Sequence, residues 1–129
     1  TMVAPIIPGL NDREVPAILQ AVADAGAIGA GYVMLRLPFQ IKDLFLDWLG
    51  REFPDRAGRV ESLIRQMRDG ALYDARPGVR QRGQGPIADQ IGNVFKVFKR
   101  KHGLDRALPP LSGDAFRRPT TAGQMRLFG

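Results

Sequence analysis

The first 38 residues alternate between two kinds of apolar pattern, and this alternation restricts the fold more than any other feature of the chain. Residues 2–7 form a continuous apolar run that Pro8 and Gly9 end, which is typical of a strand buried on both faces. Residues 31–38, GYVMLRLP, form a second such run that Pro38 ends. Between them lies a helical pattern. The order strand, helix, strand predicts a βαβ unit with parallel strands and a right-handed crossover.

The helix between the strands has clear start and stop signals. Asn11 and Asp12 are residues that start helices, and Pro16 is tolerated only in a first turn. Gly26 is a natural helix end. The helix therefore begins within a few residues before Pro16. Its apolar residues fall on one face: Val15, Ile18, Leu19, Val22 and Ala23.

Two more helices are predicted before residue 73. The first carries an apolar face made of Ile41, Leu44, Phe45, Trp48 and Leu49, and Gly50 closes it. The second opens at Asp55 and ends at Gly70, with an inner face made of Val60, Leu63, Ile64 and Met67. The predicted class is α/β. Because two parallel strands make no stable sheet alone, we expect further strands from a longer protein or from another chain.

The second half of the chain has a different character. Residues 74–86 are rich in Arg, Gly and Gln and are predicted to be a loop. Pro86 then opens a helix that Gly103 ends. The remainder is punctuated by Pro and Gly and predicted to be extended, with three isolated apolar residues to pin it to the body: Leu108, Leu111 and Phe116. We divide the chain into residues 1–73, the α/β part, and residues 74–129, a basic loop, helix and tail.

Composition excludes several classes of function. The 129 residues include no cysteine, so the chain has no disulfide and no thiolate metal or cluster site. His102 is the only histidine, which argues against a histidine metal site or a serine–histidine triad. No apolar run reaches the length of a membrane span, and we expect a cytoplasmic protein without a membrane partner.

The charge is uneven along the chain. The net charge is +6, with −2 over residues 1–75 and +8 over residues 76–129. A basic half can meet nucleic acid or another anion, or can simply be a solvated surface.

The ends of the two strands are the first candidate site. Ligands of parallel α/β folds sit at the carboxyl ends of the strands, where PGLND, residues 8–12, and Arg36 fall. Gly9 would let the backbone approach a ligand, and Asn11 and Asp12 can offer hydrogen bonds. The alternative is structural: Pro-Gly makes the turn and Asn and Asp cap the helix.

Several stretches resemble the radical S-adenosylmethionine (radical SAM) proteins, in the branch related to spore photoproduct lyase and often labelled DNA repair photolyase-like. The opening stretch APIIPGLNDREVPAILQAVADAGA, followed by GYVMLRLP, is similar to later barrel strands of that family. LFLDWLGREFPDRAGRV, RQRGQGPIADQI and FRRP are similar to the branch's carboxyl-terminal region. The resemblance covers nearly the whole chain.

The resemblance implies a partial TIM-type barrel that holds a [4Fe–4S] cluster on a Cys-x-x-x-Cys-x-x-Cys loop. The cluster reduces S-adenosylmethionine to a 5′-deoxyadenosyl radical that abstracts a hydrogen atom. Because this chain has no cysteine, we expect it to be the carboxyl-terminal part of a longer enzyme and to be inactive alone, with the rest of the barrel as its partner. The resemblance places Pro8, Gly9, Asn11, Asp12 and Arg36 near S-adenosylmethionine or substrate. A scaffold that kept the fold and lost the chemistry is a further alternative.

The loop of residues 76–85 carries three arginines, which we call the loop arginines: Arg76, Arg80 and Arg82. Guanidinium groups grip phosphates or carboxylates with fork geometry, so this loop can contact substrate or nucleic acid. The alternative is a solvated basic loop. This feature carries the second hypothesis, a basic module that binds nucleic acid or a partner.

The last six residues, QMRLFG, fit the Gln-x-x-Leu-Phe pattern of peptides that bind the bacterial sliding clamp. Gln124 would make polar contacts, and Leu127 and Phe128 would fill an apolar pocket. The alternative is that Leu127 and Phe128 fold back onto the body.

The predicted sheet has open edges and an apolar face. We therefore expect the chain to oligomerise or to swap elements with a second copy.

Overall fold

A two-stranded parallel sheet lies at the centre of the computed structural model, which describes residues 1–107 and 109–117. The strands are β1 (Met2–Ile6) and β2 (Gly31–Met34). The α-helices of the described residues are α1 (Val15–Asp24), α2 (Ile41–Glu52), α3 (Pro54–Gln66), α4 (Val79–Arg82) and α5 (Gly85–Lys101). A single 3-10 turn, Asp12–Glu14, precedes α1. The predicted α/β class is confirmed.

The predicted order of strand, helix and strand is also confirmed, although β2 ends at Met34 and not at Pro38 as predicted. β1 and β2 are consecutive and parallel, with α1 between them. Pro16 lies in the first turn of α1, where its missing N–H has no consequence. Gly26 follows the helix with φ +86°, a conformation that glycine adopts without strain. Local sequence signals were therefore sufficient to define this unit.

β1 is irregular, and its burial differs from the prediction. Its pairing with β2 is disturbed between Val3 and Ile6, so the two buried side chains lie three residues apart rather than two. Met2, Ala4 and Pro5 are exposed, Met2 by 61%. The expectation of a strand buried on both faces is wrong, because helices cover only one face of the sheet.

The main core fills the space between the sheet, α1 and α5. The ring of Tyr32 on β2 packs against that of Phe95 on α5, with centroids 4.6 Å apart. The buried residues of this core are Val3, Ile6, Val15, Leu19, Ala30, Tyr32, Met34, Met67, Ala88, Ile91, Phe95 and Leu104. Residues from both halves of the sequence therefore share one core.

A second, smaller core lies beyond the carboxyl ends of the strands, where α2 and α3 pack against the chain that leaves β1 and β2. Its buried members are Ile7, Leu37, Leu49, Val60 and Ile64. This core brings α3 against the loop that follows β1.

α2 departs from its prediction in two ways. The helix continues through Gly50 and ends at Glu52, so Gly50 does not close it. Leu44 is 68% exposed and Ile41 49%, and Leu49 is the buried residue of the helix. The sequence marks an apolar face on α2, but no described element covers most of it.

Two predictions for the second half are corrected as well. The segment predicted as a loop contains the one-turn helix α4. Leu111 and Phe116 are 100% and 70% exposed, so they do not pin the tail to the body. Leu108, the third predicted pin, lies outside the described residues.

Candidate functional site

Asn11 holds the strand end from the side that β2 does not occupy. Ile6 accepts a hydrogen bond from Leu35 N on the β2 side, at 2.9 Å. On the opposite edge, Ile7 N donates to Asn11 Oδ1 at 2.7 Å, and Asn11 Nδ2 donates to Pro5 O at 3.1 Å. The carboxamide of Asn11 thus pairs with β1 much as a neighbouring strand would. Its donor and its acceptor are both used within the fold.

Asp12 and Gly9 close the turn that follows. Gly9 N donates to Asp12 Oδ1 at 3.0 Å. Gly9 has φ +76°, and a Cβ placed on it would lie 2.8 Å from Cδ1 of Leu63 on α3. The close approach that needs a glycine is therefore the approach of α3.

A cleft opens beside this turn, between the β1–α1 loop, α3 and α5. Its cavity has a volume of about 340 Å³. We call it the loop cleft, and its lining residues are Pro8, Gly9, Asp12, Arg13, Pro16, Arg59, Leu63, Ile87, Gln90, Ile91 and Val94. Of the five residues predicted to face a cofactor, Pro8, Gly9 and Asp12 line it. Asn11 and Arg36 are not among its lining residues.

The outer end of the loop cleft is rich in arginine. An adjoining cavity of about 370 Å³ shares Gly9, Asp12, Arg13 and Arg59 with it and adds Arg56. We call Arg13, Arg56 and Arg59 the cleft arginines. Within the described residues, none of them has a carboxylate oxygen within 4.0 Å. The cleft therefore combines an apolar inner end with a cationic outer end.

Sequence reasoning missed the cleft arginines. Arg56 and Arg59 are three residues apart on α3, so their sharing of one helix face was readable from the sequence. Nothing local indicates that this face of α3 meets Arg13, which lies more than 40 residues earlier. The packing of α3 against the turn at Gly9 brings the three together.

Arg68 is the one charged residue that the described fold buries, with 1% of its surface exposed. It donates to Leu35 O at 3.0 Å, to Arg80 O at 3.1 Å and to Val79 O. Its Nε has no hydrogen-bond partner within the described residues. Burial lowers the pKa of this guanidinium below its ordinary value, while the charge of Asp74 opposes the shift. Arg68 joins the end of β2 to α4.

Arg76, the first loop arginine, is held by two carboxylates. It donates to Asp69 at 3.0 Å and to both oxygens of Asp74. These hydrogen bonds lower the pKa of Asp74 to about 2. They also raise the pKa of Arg76. The charge of this guanidinium is largely matched inside the loop.

The other two loop arginines have different surroundings. The guanidinium of Arg82 lies over the ring of Tyr32, 4.1 Å from its centroid. Nε of Arg80 is buried without a hydrogen-bond partner within the described chain. No loop arginine lines the loop cleft. The loop arginines and the cleft therefore form two separate cationic regions.

The remaining predicted positions can be placed briefly. Gln124, Leu127 and Phe128 lie outside the described residues. His102 stacks on Phe98, with ring centroids 6.2 Å apart. Residues 1–107 and 109–117 bring together no group of three or more His, Cys, Asp or Glu side chains that could hold a metal ion.

No protein-family model, curated protein or solved structure matches this chain. Among the helices of the described residues, none combines the length and the apolar character needed to cross a membrane.

Proposed function

We propose that this chain supplies the carboxyl-terminal part of a radical SAM barrel in the branch related to spore photoproduct lyase. The observation that carries the proposal is the asymmetry of the parallel sheet. Helices cover the sheet face that holds Val3 and Tyr32, while Met2 and Ala4, which alternate with Val3 along β1, remain exposed. In the wall of a partial barrel, helices pack on the outer face of the sheet and the other face of the sheet is turned towards the barrel interior. The sequence resemblance supports the choice of this family.

The residues present do not fit an iron–sulfur cluster. Such clusters are held by cysteine thiolates, and none of the 129 residues is a cysteine. In the proposal, the cluster ligands belong to another part of the enzyme. We therefore assign no catalytic residue to this chain.

The residues of this chain do offer contacts for the organic cofactor. Pro8, Gly9 and Asp12 lie together on the loop cleft, and the resemblance assigns these three residues to S-adenosylmethionine or substrate. Asp12 keeps its carboxylate at the cleft while Oδ1 also accepts from Gly9. S-adenosylmethionine, when bound, supplies hydrogen-atom abstraction from the substrate. The part of this chain is to orient the cofactor or substrate at the strand ends.

The first test is the reading frame upstream of Thr1. A Cys-x-x-x-Cys-x-x-Cys loop behind a predicted strand is the expected result. A frame without these cysteines would contradict the radical chemistry. The remaining hypotheses would then be a scaffold that lost the chemistry and a basic binding module.

The second test uses the full-length protein, reconstituted anaerobically with iron and sulfide. Asp12→Asn keeps an oxygen acceptor for Gly9 N and removes the charge, so the KM for S-adenosylmethionine should rise at least about fivefold, a loss of roughly 1 kcal/mol. Glu14→Gln is the matched control, since Glu14 is exposed on the same turn and does not line the cleft. Equal KM values in the two variants would argue against a cofactor contact at Asp12.

A basic module that binds nucleic acid is the second candidate. It is favoured by the end of α5, where Lys96, Arg100 and Lys101 are exposed. Phosphate contacts of this kind give binding that weakens steeply with salt. Fluorescence anisotropy with a labelled single-stranded oligonucleotide, from low to physiological salt, tests it. An absence of oligonucleotide binding at low salt would exclude this candidate. Binding of the 129-residue chain to the bacterial sliding clamp would instead support a partner-binding role for its tail.

A further inference from the structure

We infer that the loop cleft binds a small organic phosphate, with the phosphate at the cleft arginines and the organic group against the apolar inner end. This proposal concerns the same cleft as the proposed cofactor or substrate contact at Asp12, but it does not rest on radical chemistry: the cleft arginines and the apolar lining that it uses are residues that the family resemblance does not assign. It rests on three features of the cleft: its charge, its shape and its division into two ends.

The charge of the cleft is positive and unmatched. Three guanidiniums and one carboxylate, that of Asp12, line its two connected cavities. Oδ1 of that carboxylate accepts from Gly9 N rather than from an arginine. Elsewhere in the described chain, Arg51, Arg65 and Arg76 each have a carboxylate partner. The cleft arginines have none among the residues described, so an anion from outside can fill that place.

The number of arginines favours phosphate over a single carboxylate. A phosphate monoester carries a charge between about −1.5 and −2 at neutral pH and presents three strong acceptor oxygens. Guanidinium forks match such oxygens in pairs. One carboxylate is satisfied by one guanidinium, so three convergent arginines suit the larger anion.

The shape of the cleft favours a small molecule over a polymer backbone. The cavity of about 340 Å³ falls within the range of ligand pockets, which begins near 300 Å³. Leu63, Ile91 and Val94 line its inner end, where a nucleobase or another apolar group would be shielded from water. A nucleic-acid backbone would use the arginines and leave this inner end empty.

The experiment is isothermal titration calorimetry of the 129-residue chain with three probes: ADP, inorganic phosphate and adenosine. We expect ADP to bind most tightly, phosphate to bind more weakly and adenosine to show no measurable binding. Raising the salt concentration should weaken ADP binding, because exposed charges are screened. Circular dichroism of every variant checks that it is folded.

The decisive variant is the double substitution Arg56→Gln and Arg59→Gln, which should raise the Kd for ADP at least about tenfold, since each lost tenfold is 1.4 kcal/mol. The matched control is Arg51→Gln with Arg65→Gln. It removes two positive charges from arginines outside the cleft, each of which pairs with a carboxylate. Its Kd should change less than about twofold.

Three outcomes would overturn the proposal. Equal losses in the two double variants would mean that net charge, not the cleft, attracts ADP. Adenosine binding as tight as that of ADP would remove the phosphate from the argument. An oligonucleotide that binds through Arg56 and Arg59 while ADP and phosphate do not would assign the cleft to nucleic acid.

Discussion

The loop arginines and the cleft arginines differ in what surrounds their guanidinium groups. The sequence places the loop arginines close together in a basic, glycine-rich segment, but the fold gives Arg76 two carboxylates and Arg82 an aromatic ring. The cleft arginines are spread over the first half of the chain, yet they line one cleft without a carboxylate partner in the described residues. The clustering of arginines in the sequence is therefore a poor guide to which guanidinium groups are free to bind an external anion. What decides availability is whether the fold supplies an acceptor.

Arg68 is the extreme case of an arginine used by the fold, and its loss should have the largest effect. Arg68→Met removes the donors to Leu35 O, Val79 O and Arg80 O. Val79 O keeps a hydrogen bond from Gly83 N, whereas Leu35 O and Arg80 O lose this partner. Each unsatisfied buried polar group costs on the order of 1–3 kcal/mol, so we expect a loss of roughly 3 kcal/mol. Urea unfolding measures it.

Arg65→Met is the matched control for this prediction. Arg65 lies three residues earlier and is partly exposed, with a 2.7 Å ion pair to Glu61. An exposed pair of this kind contributes about 0.2–1 kcal/mol. Equal losses in the two variants would contradict a structural role special to Arg68.

Gly9 should have the next largest effect, because it allows the approach that builds the cleft. Gly9→Ala puts a Cβ 2.8 Å from Leu63 at a φ of +76°. The left-handed conformation costs about 1–2 kcal/mol for a residue with a Cβ, and the overlap adds to it. We expect a loss of roughly 2–3 kcal/mol in urea unfolding.

Gly58→Ala separates this effect from glycine replacement in general. Gly58 lies within α3 and a Cβ there would meet nothing within 4 Å, so alanine should stabilise the helix by about 0.5–1 kcal/mol. In the Leu63→Ala background, Gly9→Ala should cost less stability, because the overlap with the Leu63 side chain is gone and only the cost of the left-handed conformation remains. A neutral Gly9→Ala would show that α3 does not need to approach so closely.

The same division between local and distant causes explains what the sequence could predict. The strands, Pro16 in the first turn of α1 and Pro86 in that of α5 follow from local signals, and they are confirmed. The apolar face predicted for α2 is mostly exposed, because periodicity shows that a helix has an apolar face but does not show which element covers it. Pro8, Gly9 and Asp12 could be placed at a strand end from the sequence.

The rest of the cleft depends on distant contacts. The packing of Leu63 against Gly9 joins residues more than 50 positions apart, and together with the second core it brings the arginines of α3 to the turn. Arg68 gave no signal, since arginine is normally exposed. Both features arise from tertiary packing, which single-residue patterns do not encode.

Arg82 should show a smaller effect than Arg68, because it lies over a ring instead of within the core. A cation–π contact at a partly exposed site contributes about 0.5–1 kcal/mol. Arg82→Gln should lose this amount in urea unfolding. A double-mutant cycle with Tyr32→Leu should show coupling of similar size, whereas Tyr32→Phe keeps the ring and should leave the effect of Arg82→Gln unchanged. Absence of coupling would mean that Arg82 is as available for an anion as the cleft arginines.

Asp74 gives the smallest effect and the sharpest test of whether Arg76 is engaged. Hydrogen bonds from Arg76 lower the pKa of Asp74 from 3.8 to about 2, so the native state binds this proton less readily than the unfolded state. The stabilisation is therefore fully present above pH 4 and is lost as the pH falls through 2. Asp74→Asn should remove this part of the acid sensitivity and leave the rest, as measured by urea unfolding from pH 5 to pH 2. Arg76→Gln should move the carboxyl pKa of Asp74, followed by NMR, back towards its ordinary value. If the pKa of Asp74 is instead ordinary in the unaltered chain, Arg76 is not held by this carboxylate. Arg76 would then no longer differ from the cleft arginines, and its guanidinium group would be free to bind an external anion.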